Sequence, residues 1–152
     1  GGLKPGSMFV IAGDQNSDPL DGDSIPGSIQ QLLHHPLVNT RLTPSSPGGV
    51  EQALLQDRIN DVHKSDPAFD TADFSDSAPG NLRADYVLPR KNLQMLDAAV
   101  YWPLMSDPLF RLIGVFDFAT RNLPGQGFPS SDHRPVWIDV GVPAALTGSA
   151  GR

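Results

Sequence analysis

The alternation of apolar and polar positions divides the chain into short segments. Met8–Asp14 (MFVIAGD) is an unbroken apolar run ending on a carboxylate, the pattern of a strand buried on both faces. The next stretch, DGDSIPGSIQQLLHHPLV, predicts a helix. Asp23 or Ser24 can cap it, Pro26 suits its first turn, Pro36 stops it, and Ile25, Ile29, Leu32 and Leu33 form its apolar stripe. After a loop at Thr43–Gly49, Val50–Ile59 predicts a second short helix. Asn60–Asn81 is rich in Asp, Ser and Pro with little periodicity, so it is expected to be a long ordered loop, a kind that often serves function. Arg83–Pro89 predicts a strand, and Leu93–Trp102 a further strand beside it, although Leu, Met and Ala there also suit a helix. Ser106–Gly114 has a cap, an early proline and a terminal glycine, the signature of a short helix. Arg121–His133 is a loop, Arg134–Val142 a final strand, and residues 143–152 a fraying tail; no internal repeat is visible.

Composition narrows the picture. The 152 residues are the size of one domain, expected to span residues 1–142. Fifteen prolines and fifteen glycines argue against a helical bundle. Of the 17 acidic residues all but Glu51 are Asp, a turn and cap residue, which places much of the negative charge in loops. A net charge of −6 disfavours a broad basic surface for gripping nucleic acid. It leaves open a nuclease whose phosphate contacts come from a metal and a few arginines, with Arg83, Arg121 and Arg134 as candidates. The absence of cysteine removes disulfides and thiolate metal sites. No apolar run approaches the roughly 20 residues of a membrane span. The opening GGLKPGSMFVIAG enters a strand almost at once, as expected of the middle of a longer protein or of an artificially chosen start.

Two polar clusters flank predicted strands. In FVIAGDQNSDP, Asp14, Asn16 and Asp18 recur at every second position, as they would in a calcium loop. That loop also needs Gly at its sixth position and Glu at its twelfth; here those are Pro19 and Ile25, so the calcium reading fails. The second cluster is Ser131, Asp132 and His133, just before the last strand. An Asp suits a hard cation or an attacking water, an Asn can donate to a phosphoryl oxygen without adding negative charge, and a His suits proton transfer. Asp85 is a carboxylate inside an apolar run and needs a partner, for which His133 is the natural choice over Arg83 or Arg134.

The ordered trio GDQN (Gly13–Asn16), RADY (Arg83–Tyr86) and SDHRPV (Ser131–Val136) resembles the C-terminal motifs of the endonuclease/exonuclease/phosphatase superfamily, which includes deoxyribonuclease I-like nucleases, inositol-phosphate phosphatases and sphingomyelinases. Each motif is short; the three in order, each on the right element, carry the resemblance. It implies an α/β fold, the later half of a four-layered α/β sandwich with mostly antiparallel sheets. It also implies divalent-metal phosphoester hydrolysis with Mg²⁺, Mn²⁺ or Ca²⁺, on nucleic acid or a small phosphorylated molecule. Asp14 would orient or deprotonate the attacking water and touch the metal. Asn16 would contact the scissile phosphate, and Asp132 would ligate the metal. His133 would act as general base or stabilise the transition state, with Asp85 fixing its tautomer. The family's metal-binding Glu and second His belong to an earlier half that has no counterpart here, since Glu51 falls on the wrong element. The missing part would come from the rest of the polypeptide or from a second chain. The alternative is a non-catalytic module that self-associates, a homodimer among the outcomes. APGNLRADYVLP and FDTADFSDS also resemble a branch of large, often secreted bacterial members, implying an extracellular or periplasmic location.

Beside these readings stand plainer ones. Asp18, Asp21 and Asp23 are expected to be solvated loop and cap residues, and Asp70, Asp73 and Asp76 turn carboxylates. Trp102 and Trp137 are expected as core or sheet-edge aromatics.

Overall fold

A computed structural model describes residues 2–114 and 131–141. Arg121, most of the loop before His133 and the tail lie outside the described residues. Among the described residues six strands form three antiparallel pairs, and with the helices between them this is an α/β fold. Strand β1 (Val10–Asp14) pairs with β4 (Asp85–Pro89), β2 (Ala72–Asp73) with β3 (Asn81–Leu82), and β5 (Gln94–Val100) with β6 (Val136–Gly141).

The pairing corrects one expectation. β5 does not lie beside β4; it pairs with the final strand. The edge of the β4 exit is already taken, because Asn39 N–H donates to Pro89 O, Lys91 N–H to Leu37 O and Arg90 N–H to Phe9 O. The chain therefore turns at Arg90–Leu93 and leaves that sheet. Once away, β5 meets the β-branched and aromatic positions Val136, Trp137 and Ile138, which favour a ladder over a helix.

β1 also differs from expectation. It is not buried on both faces: Val10 is 46% exposed, and Ala12, Gly13 and Asp14 are exposed. Among the described residues, β4 is its only strand partner.

The first helix, α1, shrinks to Gln30–Leu33. Pro26 and Gly27 (φ +87°) hold the preceding residues in turns, so Ile25 projects into solvent instead of joining the apolar stripe. Ile29 keeps its place in a core with Val38, Tyr86 and Leu88, and Phe9, Ile11, Leu32 and Leu33 pack around it. Helix α2 (Pro47–Gln56) starts earlier than the pattern indicates, with Pro47 in its first turn and the Ser46 hydroxyl accepting from Gly49 N–H at 3.1 Å. The Ser106–Gly114 signature folds as a 3-10 helix over Pro108–Leu112, with the Asp107 carboxylate accepting from Leu109 N–H. It covers a second core of Val100, Trp102 and Ile113. The long Asn60–Asn81 segment is ordered by two 3-10 turns (Asn60–Val62 and Pro67–Phe69) and by β2.

Candidate active site

The β1–β4 register sets Asp14 directly opposite Asp85 at the end of the pair. Opposed residues in an antiparallel ladder hold their Cβ atoms about 5 Å apart, and like charges there are unfavourable. Two short devices shape this end. Gly13 has φ +141°, a conformation that an L side chain rarely adopts. Asn16 sits in the left-handed region at φ +46°, and its N–H donates to Asp14 Oδ1 at 2.7 Å. That bond holds one oxygen of Asp14, while the Asn16 side chain remains exposed at the turn.

His133 arrives from the other end of the chain. Its Nδ1 lies 2.8 Å from Asp85 Oδ2, and that same oxygen accepts from the Thr71 hydroxyl at 2.9 Å. Thr71 Oγ1 in turn accepts from the N–H groups of Ala84 and Asp85. Asp85 is thus fixed by β4 below it and by Thr71 beside it. Phe74 meets the His133 ring edge-on with centroids 5.3 Å apart. The ring also borders a cavity of about 420 Å³ that Tyr101, Leu112, Ile113 and Pro135 help to line. Burial opposes protonation of His133. The Asp85 hydrogen bond and charge, joined by the charges of Asp14 and Asp132, outweigh it and raise the imidazole above its ordinary value.

The segment carrying Asp132 and His133 is laid on β2. Asp73 N–H donates to Asp132 O at 2.9 Å, Arg134 N–H donates to Thr71 O at 2.7 Å, and Ala72 bridges His133. The Ser131 hydroxyl accepts from His133 N–H. One residue on, Arg134 turns inward. Its guanidinium donates to Asp73 Oδ2 at 2.8 Å and to Ser131 O at 3.0 Å, and lies 4.6 Å from the Trp102 ring centroid.

Of the residues singled out in the sequence, Asp14, Asp85 and His133 come together: one ligand atom from each lies within 4.8 Å of the others. Two carboxylates and an imidazole suit a divalent cation. Asp85 and His133 already bond each other, however, which leaves Asp14 as the open carboxylate of the three. Asp132 stands outside that grouping, close enough for its charge to act on His133. Arg134 is engaged with Asp73, and Arg83 lies 4.5 Å above the Tyr86 ring.

Sequence reasoning missed Thr71, Phe74 and the Asp73–Arg134 pair. Asp73 is not a turn carboxylate but a buried partner, because a guanidinium turned into the protein requires one. Asp18 is not solvated either, and Asp21 is partly exposed but engaged by the loop. Asp18 is buried and accepts from the N–H groups of Leu20, Asp21 and Arg83 and from the Ser65 hydroxyl, while Asp21 accepts from the N–H groups of Lys64 and Ser65. Those loop N–H groups have no ladder partner, so side-chain oxygens satisfy them. The spaced acids after β1 tie the loop together.

Searches of curated proteins and of solved structures gave no match. The profile of the Endonuclease/Exonuclease/phosphatase family matches residues 1–133, which takes in GDQN, RADY and the SDH cluster through its histidine. On a match over most of its length, the chain belongs to the endonuclease/exonuclease/phosphatase family.

Proposed function

We propose that this site hydrolyses phosphoesters with a divalent cation, Mg²⁺ first among the candidates. The observation that carries the reading is the cross-strand pair Asp14–Asp85 with His133 bonded to Asp85. Opposed carboxylates are unfavourable unless positive charge joins them, and an imidazolium and a bound cation supply it.

The residues divide the work. Asp14, held through Oδ1, presents its second oxygen to a water and accepts its proton as the water attacks phosphorus. The exposed Asn16 amide donates to a non-bridging phosphoryl oxygen. His133 keeps its Nδ1 proton on Asp85, so the Nε2 edge faces the phosphate. There a proton on Nε2 stabilises the charge that builds up as the P–O bond to the leaving group breaks. Asp85 and Thr71 do not touch the substrate; they fix the imidazole tautomer and orientation. Asp14 and Asp132 would hold the cation, whose chemistry when bound is to neutralise the phosphoryl oxygens and lower the pKa of a coordinated water.

The rest of the site would come from a further part of the polypeptide or from a second chain, covering the open edge and exposed face of β1. The net charge of −6 favours small phosphoesters or extracellular nucleic acid as substrate over a long duplex that needs a basic track. A non-catalytic, self-associating module is the second reading, and exposure of Val10 (46%), Leu96 (57%) and Trp137 (40%) on strands favours it.

The full-length chain is assayed on bis(p-nitrophenyl) phosphate with Mg²⁺. Hydrolysis that EDTA abolishes, and that Asp14→Ala or His133→Ala removes, is expected. An active monomer in ultracentrifugation rules out the module. Full rate in both variants rules out the assignment.

A further inference from the structure

The Asp132–His133 segment carries the only histidine that meets the strand-end carboxylates among the described residues, yet it belongs to neither strand of that pair. Around it lie a short ladder to β2, the Ser131 hydroxyl, the Phe74 ring and the side chain of Arg134. Successive residues on extended chain point to opposite sides. With His133 directed at Asp85, Arg134 is directed the other way, into the protein.

There its guanidinium meets Ser131, Asp73 and Trp102 among the described residues. It closes the segment on itself through Ser131 O, anchors on Asp73 Oδ2, and stacks on Trp102. The pair is buried, with the Arg134 side chain 0% and the Asp73 side chain 4% exposed. The anchor is itself held. Gln56 Nε2 at the end of α2 donates to Asp73 Oδ1 at 2.7 Å, and Asn81 Nδ2 on β3 donates to Gln56 Oε1 at 2.6 Å. A shift of Arg134 would therefore pull against α2, β2 and β3 together.

Stability is a poor reason for such a pair. Desolvating two charges offsets most of their attraction, and apolar residues of the same volume often do as well or better. What an apolar cluster does not supply is a fixed direction, and the neighbouring His133–Asp85 bond at 2.8 Å needs one.

We infer that Arg134 and Asp73 are positioning residues: their bond, with the Ser131 carbonyl drawn into it, sets the placement of His133 against Asp85. The rate arm of the test rests on the proposed hydrolysis; the spectroscopic arm does not.

The full-length chain is compared as wild type, Arg134→Met, Arg134→Lys and Asp73→Asn, the last keeping the shape of the anchor. The His133 Nδ1 proton is followed by NMR, and kcat and KM are measured on bis(p-nitrophenyl) phosphate with Mg²⁺. A misplacement of about 1 Å costs up to roughly 100-fold in rate. Arg134→Met and Asp73→Asn are expected to lower kcat by about 10- to 100-fold with KM within about twofold, and to lose the protected Nδ1 proton to solvent exchange. Arg134→Lys is expected to recover part of both. A folded Arg134→Met or Asp73→Asn protein that keeps the protected proton and the wild-type kcat overturns the inference. Loss of the fold in both variants overturns it too, since the pair would then serve stability and not placement. If wild type itself shows no hydrolysis, the proposed reaction fails while the proton signal still decides the positioning role.

Discussion

Two consecutive residues, His133 and Arg134, each hold an aspartate at 2.8 Å, and the two pairs differ in exposure and in the chemistry of their cation. The His133–Asp85 pair is partly open, with side chains 29% and 17% exposed, and its cation can gain or lose a proton near neutral pH. The Arg134–Asp73 pair is sealed, and its cation does not deprotonate in proteins. Under the proposed function, reach to substrate would use the first arrangement. Fixed geometry would use the second, where solvent is excluded and the guanidinium keeps its proton, although burial raises the Asp73 carboxyl above its ordinary value.

The comparison can be broken at each pair. The largest effect is expected on rate. Asp85→Asn keeps the shape but changes what His133 Nδ1 meets, and should lower kcat by about 10²- to 10⁴-fold while the unfolding midpoint barely moves. Kinetics beside a urea titration check both halves of that statement. Next comes stability. Asp73→Leu strands a buried guanidinium and should cost about 3–5 kcal/mol, read as a lower urea midpoint. A loss below about 1 kcal/mol would mean that water reaches the pair.

A third aspartate sharpens the contrast, because it is buried with no cation paired to it among the described residues. Asp70 is 3% exposed, and burial first, then the charges of Asp18, Asp21 and Asp66, push its carboxyl up to about 8. A folded value above the unfolded one means that its contribution is fully present below pH 3.8 and is lost as pH rises through about 8. Wild type should therefore lose roughly 1 kcal/mol per pH unit across that window, and Asp70→Asn should flatten the slope. The smallest effect belongs to His133. Its raised value makes its contribution complete below about pH 6.5 and lost as pH rises through the folded value. Being partly exposed, the pair should account for no more than about 1 kcal/mol, absent in Asp85→Asn.

The strings GDQN, RADY and SDH are legible because their chemistry is local: a polar group at the end of an apolar run is visible without knowing the fold. Thr71 and Asp73 carry no such mark. The Asp73–Arg134 bond spans 61 residues, and only the folding of the Asn60–Asn81 segment against α2 turns an Asp in a polar loop into a buried anchor. The mix of helices and strands is legible in the alternation of patterns, and the α/β class is what the family resemblance implies. The partner of β5 is not legible there, because it depends on which backbone groups beyond Pro89 are already bonded. Asp18 is misread for a related reason: spacing shows acceptors, and only the fold shows which donors they meet.

The central claim is that His133 acts on a phosphoester. The most direct measurement is the Mg²⁺-dependent rate of bis(p-nitrophenyl) phosphate hydrolysis by His133→Ala relative to wild type, each confirmed folded by circular dichroism. The account predicts a rate at least about 100-fold lower; an unchanged rate would contradict it.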